Sequence, residues 1–145
     1  MSEQNKAVVL RQIEEMWSKG NLKVIDELYA ADFVDRSPGV PPDMARGPEG
    51  VKLFVSMFRG AFPDIQGEDD ELIAEGDKVV VRWSARGTHE GDFMGIPPTG
   101  KQISISGTSI YRIAGGKIVE EWTHADMLGL LTQIGAIPEM AQASA

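Results

Sequence analysis

The feature that most constrains this chain is a change of period at Pro63: apolar residues recur at helical spacing before it and alternate after it. Val9, Ile13, Met16 and Trp17 fall at i, i+4, i+7 and i+8, the spacing of one helical face. The "KGN" at 19–21 stops that helix, and Leu22, Ile25, Leu28 and Tyr29 make a second, shorter apolar face. "DFVDRSPGVPPDMARG" has no sustained period, and with Pro48 just after it four prolines fall within residues 37–48, which predicts an extended loop. Pro48 then stands where a third helix should begin, with Val51, Phe54, Val55 and Phe58 as its stripe.

Beyond Pro63 the pattern is that of strands. "IQGEDDELIAEGDKVVVRWSARGTH" reads as a hairpin turning at "EGDK". "EGDFMGIPPTG" carries three Gly and two Pro and cannot be regular structure. "KQISISGTSIYRI" and "KIVEEWTHA" pair across "AGGK", and a short helix runs from about Met127 to Ile134. Helices segregated from an antiparallel sheet define an α+β fold. We expect one domain over residues 1–145, with its core over about 5–136 and an Ala-rich tail at 137–145 that frays. Helices covering the concave side of a curled sheet leave a pocket wherever they do not fill it.

Several function classes fall away on composition. The chain has no Cys, so disulfides, thiolate nucleophiles and Cys-based metal sites are excluded. Its net charge is −8 and no Lys/Arg cluster stands out, so a nucleic-acid partner is not expected. No apolar run approaches the ~18–20 residues of a membrane span. The N-terminus lacks the basic and apolar regions of a signal peptide, so the expected location is cytoplasmic, with no membrane partner. His89 and His124, the only histidines, have no metal-ligand spacing, and no metal or cofactor is expected. Without a G-x-S-x-G elbow, a serine triad has no support. The acidic run Glu68–Asp69–Asp70–Glu71 reads as a solvated face or turn.

Strand alternation nominates the candidate residues. In "KIVEEWTHAD", Ile118, Glu120, Trp122, His124 and Asp126 share one face, and Glu121 lies on the other. In "VVVRWSARGTH", Val79, Val81, Trp83, Ala85, Gly87 and His89 share a face. If both faces look into one concavity, Trp83, Trp122, His89 and Asp126 line an apolar chamber, an inference that a single bulge would break. Phe54, Met57, Phe58 and Phe62 serve as core and as pocket wall. Asp126 is open to two readings: a preferred cap for the helix that follows, or a proton-transfer group whose pKa rises among apolar neighbours.

The stretch "GTHEGDFMGIPPTGKQISISGTSIYRIAGGKIVEEWTHADMLGLLTQIG" resembles the C-terminal half of SnoaL-like polyketide (ester) cyclases. "YAADFVDRSP" and "GPEGVKLFVSMFRGAFPD" resemble earlier segments of the same family, and the most specific parts are "GTH-x-G-x-FMGIPPTGK" and "W-x3-D-x-LGLL-x-Q-x-G". The resemblance implies a nuclear-transport-factor-two-like cone, a curved antiparallel sheet packed against N-terminal helices around a pocket. It further implies cofactor-free intramolecular aldol chemistry on a hydrophobic carbonyl substrate. Asp126 then stands at the family's acid/base position, with His89 lining the same site. Trp122, His124, Trp83, Asp35, Arg36, Phe58 and Phe93 are the expected substrate contacts. This chain departs from many relatives in carrying Arg36 and Glu121 where they carry histidine; Arg36 is expected to pair with Asp35 or with a substrate carboxylate. A homo-oligomer, dimer or tetramer, is expected; a purely structural dimer would use the exposed sheet face, Phe93, Met94 and Ile96 as its contact surface. The alternatives are a binding protein of the same fold, an isomerase, dehydratase or hydrolase using the same pocket, and a purely structural dimer.

Overall fold

The computed structural model describes residues 2–138, so the expected fraying beyond residue 138 lies outside the described residues. The elements are α1 (Ser2–Arg11), a π-helical continuation (Gln12–Ser18), α2 (Lys23–Leu28), β1 (Tyr29–Asp35), α3 (Gly47–Ala61), β2 (Gln66–Glu75), β3 (Lys78–Thr88), β4 (Gln102–Ala114), β5 (Lys117–Ala125) and α4 (Met127–Gln133). The five strands form one sheet in the order β1-β5-β4-β3-β2. Strands β2 to β5 pair antiparallel and β1 joins β5 in parallel, which makes the sheet mixed. The α+β class and the helix-covered sheet stand as expected. β1 is an addition, since its first residue was read as the end of a helix and its last as loop.

The apolar faces predicted for the helices are the ones that pack. Val9, Met16, Val24, Ile25, Leu28, Val51 and Val55 form one core with Val79, Val81, Tyr111, Ile113 and Ile118 of the sheet. A second cluster joins Ala61, Phe62, Ile65, Phe93, Ile103, Ile105, Leu130 and Ile134. The cavity described below is lined from both groups.

Two local irregularities matter for the site. The helix widens to π geometry at Gln12, which lets Gln12, Ile13 and Met16 all be buried. Gln12 Nε2 donates to the hydroxyls of Tyr29 (2.9 Å) and Tyr111 (3.0 Å), so helix and sheet are tied through a polar bridge inside the core. In β5 the register against β4 slips between Arg112–Glu120 and Ile113–Ile118. One extra residue on β5 moves the following side chains to the opposite face. Among the described residues, no helix is long and apolar enough to cross a membrane.

Candidate active site

The concave face of the sheet can be described in rows. Residues opposite one another across β1, β5, β4 and β3 give Asp35, Glu121, Tyr111 and Val79 as one row. The next runs Thr123, Ser109, Val81, and the third runs Ala125, Gly107, Trp83, with Asp69 of β2 beside Trp83. Helix α3 covers this face with Phe54, Met57 and Phe58, and the π-helical segment adds Ile13 and Trp17. Between them is a cavity of about 340 Å³. Its rim carries Pro38, Gly39, Pro41 and Met94, each exposed and each lining the space.

Ionisable side chains in this apolar wall come from Asp35, Tyr111, Glu121 and, at the exposed edge, His124. Glu121 is half-buried, and what remains accessible opens on the cavity. Burial, reinforced by the neighbouring Asp35, pushes its carboxyl up to about 8, against a partly compensating hydrogen bond from Thr123. That bond belongs to a directed chain. Trp83 Nε1 donates to Ser109 Oγ (2.9 Å), the Ser109 and Thr123 hydroxyls bond at 2.7 Å, and Thr123 Oγ1 donates to Glu121 Oε2 (2.7 Å). With Trp83 and Thr123 donating at the two ends, the Ser109 proton points to Thr123, and the whole chain holds Glu121 Oε2. Asp35 is fixed separately, accepting from the Ser37 amide at 2.9 Å.

Tyr111 lines the same cavity, and burial first and Glu121 second hold its phenol well above the ordinary range, so it stays a neutral donor. Asp69, read from sequence as part of a solvated run, instead faces inward. Its Oδ1 is buried without a hydrogen-bond partner, and burial, then Asp70, raises its carboxyl to about 6. Gly107 provides the room for the indole: a Cβ there would lie 2.5 Å from Trp83 Cζ2 and 2.7 Å from the His124 carbonyl oxygen.

The expected site residues separate into two groups. Trp83, Asp35 and Phe58 line the cavity, and His124 borders it. The alternation reading of β3 holds over its whole length, since Val79, Val81, Trp83 and Ala85 all face in. For β5 it needs correction. Because of the bulge, Glu121, Thr123 and Ala125 face the cavity, while Trp122 lies on the other side of the strand. Glu121, assigned outward from sequence, is an inward residue, and only the bulge could have revealed it.

Asp126 follows on the outward parity, is exposed, and does not line the cavity, although its neighbours Ala125 and Met127 do. Its carboxylate accepts from the Gly129 amide at 2.9 Å, an N-cap on α4. His89 is fully buried beside Phe62 (ring centroids 5.5 Å apart), behind the cavity wall. Its Nδ1 accepts from the Thr99 amide, so Nε2 carries the proton, and its backbone bonds Gly100 and Lys101 to close the loop from 90 to 100. Phe93 is likewise buried, packed on Phe58 (5.2 Å) and Phe62 (5.4 Å), and is therefore no part of an exposed contact surface. Arg36 does not line the cavity; it and Arg112 both hold Glu120, and it does not pair with Asp35. Among the described residues, no cluster of three or more His, Asp or Glu is placed to hold a metal ion.

Comparison with known proteins agrees with this architecture. The chain is 28% identical over 131 residues to the aklanonic acid methyl ester cyclase DnrD of Streptomyces peucetius, covering 88% of each chain. It is 26% identical over 120 residues to the nogalonic acid methyl ester cyclase of Streptomyces nogalater, covering 82% of this chain and 89% of that one. Among solved structures, AclR of Streptomyces galilaeus superposes with a TM-score of 0.85 at 29% identity, covering 99% of this chain and 88% of that one. The family described as SnoaL-like polyketide cyclase matches residues 7–134, and the chain belongs to that family.

Proposed function

We propose that the protein catalyses a cofactor-free intramolecular aldol closure of a hydrophobic carbonyl compound, with Glu121 as the proton-transfer group. The observation that carries this reading is a carboxyl in an apolar cavity, held through one oxygen by Thr123 and raised by burial and Asp35 to about 8. A base poised near neutrality is suited to a carbon acid. In its ionised form, Glu121 takes the proton from a carbon α to a carbonyl, and the resulting enolate carbon bonds to a second carbonyl carbon of the same molecule. The new alkoxide takes the proton back, so that the product is an isomer of the substrate. Tyr111 donates to the developing oxyanion, and the aromatic wall of Trp17, Phe54, Phe58 and Trp83 holds the substrate folded.

Asp126 was the residue expected here from the family resemblance, and its exposure and capping bond favour Glu121 instead. The two are separated by one comparison, using aklanonic acid methyl ester, the compound named for the DnrD relative, and following ring closure chromatographically. Glu121→Gln should lose turnover by roughly 10²–10⁴-fold, the usual weight of a general base. Asp126→Asn should stay within about threefold of the parent in turnover, since a cap contributes to helix stability and not to proton transfer. Loss of turnover in Asp126→Asn with Glu121→Gln unaffected returns the role to Asp126. Unchanged turnover in both leaves the cavity as a binding site for an apolar molecule. We also propose a homo-oligomer, in which the outer sheet face bearing half-buried Val80, Ile110 and Trp122 packs on a second copy. Light scattering at a monomer mass would dismiss that part.

A further inference from the structure

Met94 is the only non-glycine among the described residues with a positive φ, +51°. It is followed by Gly95 at +83°, and the pair forms the centre of a tight turn closed by Phe93 and Ile96, whose amides and carbonyls bond each other at 2.9 and 2.8 Å. Two consecutive left-handed residues define a type I′ turn, whose first central position is normally Asn, Asp or Gly. A methionine there is strained, because its Cβ crowds the backbone in the left-handed region.

Contacts on both sides hold the turn in that conformation. Phe93, fully buried against Phe58 and Phe62, anchors its start, and Asp92 Oδ2 accepts the Gly95 amide at 3.1 Å. The base of the same loop is clasped by His89 and Thr99. The side chain held in this way is 67% exposed, the most exposed large apolar residue among those described, and yet it lines the cavity. An apolar side chain on a strained backbone, carried by a rigid turn at the rim of an apolar cavity, points to a function in the cavity, since the fold itself gains nothing from the placement.

We infer that Met94 is a specificity-determining contact, an adaptable apolar flap that closes over the outer end of a ligand in the cavity. Its unbranched thioether can follow ligands of different outline, which suits a rim position better than a branched side chain. The inference rests on the reading of the cavity as the substrate site, and it does not depend on which carboxylate moves the proton.

The test uses the full chain and a neutral apolar fluorophore, N-phenyl-1-naphthylamine, together with thermal unfolding of the unliganded protein. Met94→Asn suits the turn but removes the apolar cover, so it should raise Tm by about 3 °C while weakening fluorophore binding roughly five- to tenfold. Met94→Leu keeps apolar bulk on the same strained backbone and should hold affinity within about twofold without raising Tm. Unaltered affinity in Met94→Asn overturns the inference, as does a fall in its Tm or a parent protein that does not take up the fluorophore. Failure of the proton-transfer reading shows as unchanged turnover in Glu121→Gln and failure of this one as unchanged fluorophore affinity in Met94→Asn, so the two give different results. Glu120→Gln, on the outer face and outside the cavity, should bind the fluorophore as the parent does.

Discussion

Glu120 and Glu121 are neighbours on β5 and occupy opposite worlds. Glu120 lies on the outer face between Arg36 and Arg112, and the hydrogen bonds from Arg112 and then Arg36 lower its carboxyl. Glu121 lies on the inner face without a cation, next to Asp35 and below an aromatic cover, and is raised. One inserted residue in β5 decides which of the two faces in. The difference teaches that the outer face of this strand resembles any solvated sheet surface, whereas the inner face keeps a carboxyl at the edge of ionisation. Shared residue type says nothing about shared role.

The comparison can be broken most severely at the close approach that supports the inner face. Gly107→Val would drive a side chain into Trp83 and the β5 backbone. It should destabilise the protein by about 2–3 kcal/mol, read by urea denaturation, as overpacking of a filled core does. If the indole swings away at no cost, the inner face is looser than described.

A second test addresses ionisation. Glu121 has a folded pKa above its unfolded value, so between about 4.5 and about 8 the folded state binds the extra proton. The contribution of this group is present below the unfolded pKa and is lost as pH rises through the folded one. The parent should therefore unfold more easily at pH 8.5 than at pH 5.5, and Glu121→Gln should reduce this pH dependence and be the more stable of the two at pH 8.5. Glu120→Gln should not produce that gain. Equal slopes in parent and Glu121→Gln would erase the distinction between the faces.

The smallest effect belongs to the end of β5. Asp126→Ala removes the bond to the Gly129 amide and should cost on the order of 1 kcal/mol of stability, leaving the Glu121 titration unchanged. Any shift in that titration would tie Asp126 to the cavity after all.

Much of the framework was legible in the sequence because each element there obeys one period from end to end. The helical stripe of α3, the unbroken alternation of β3 and the cap before α4 are of this kind. The site was less so. The β5 bulge leaves no mark in "KIVEEWTHA", and it inverts every assignment after Ile118. Asp69 was lost in a run of four acidic residues, where charge outweighed alternation. β1 follows a helix without a break, so its edge position, set by docking on β5, has no local signal. The strain at Met94 arises from a turn fixed by the burial of Phe93, a long-range cause.

The parallel pairing of β1 with β5 also has a consequence for synthesis. Asp35 and Glu121 become neighbours only when these strands dock, and Ser37 is bonded to Thr123 across 86 residues of chain. Helices and the β2–β3 hairpin can form while the chain is still emerging from the ribosome, but the paired carboxylates cannot. The cavity is thus completed only when β5 docks, after the helices that cover it have already been made.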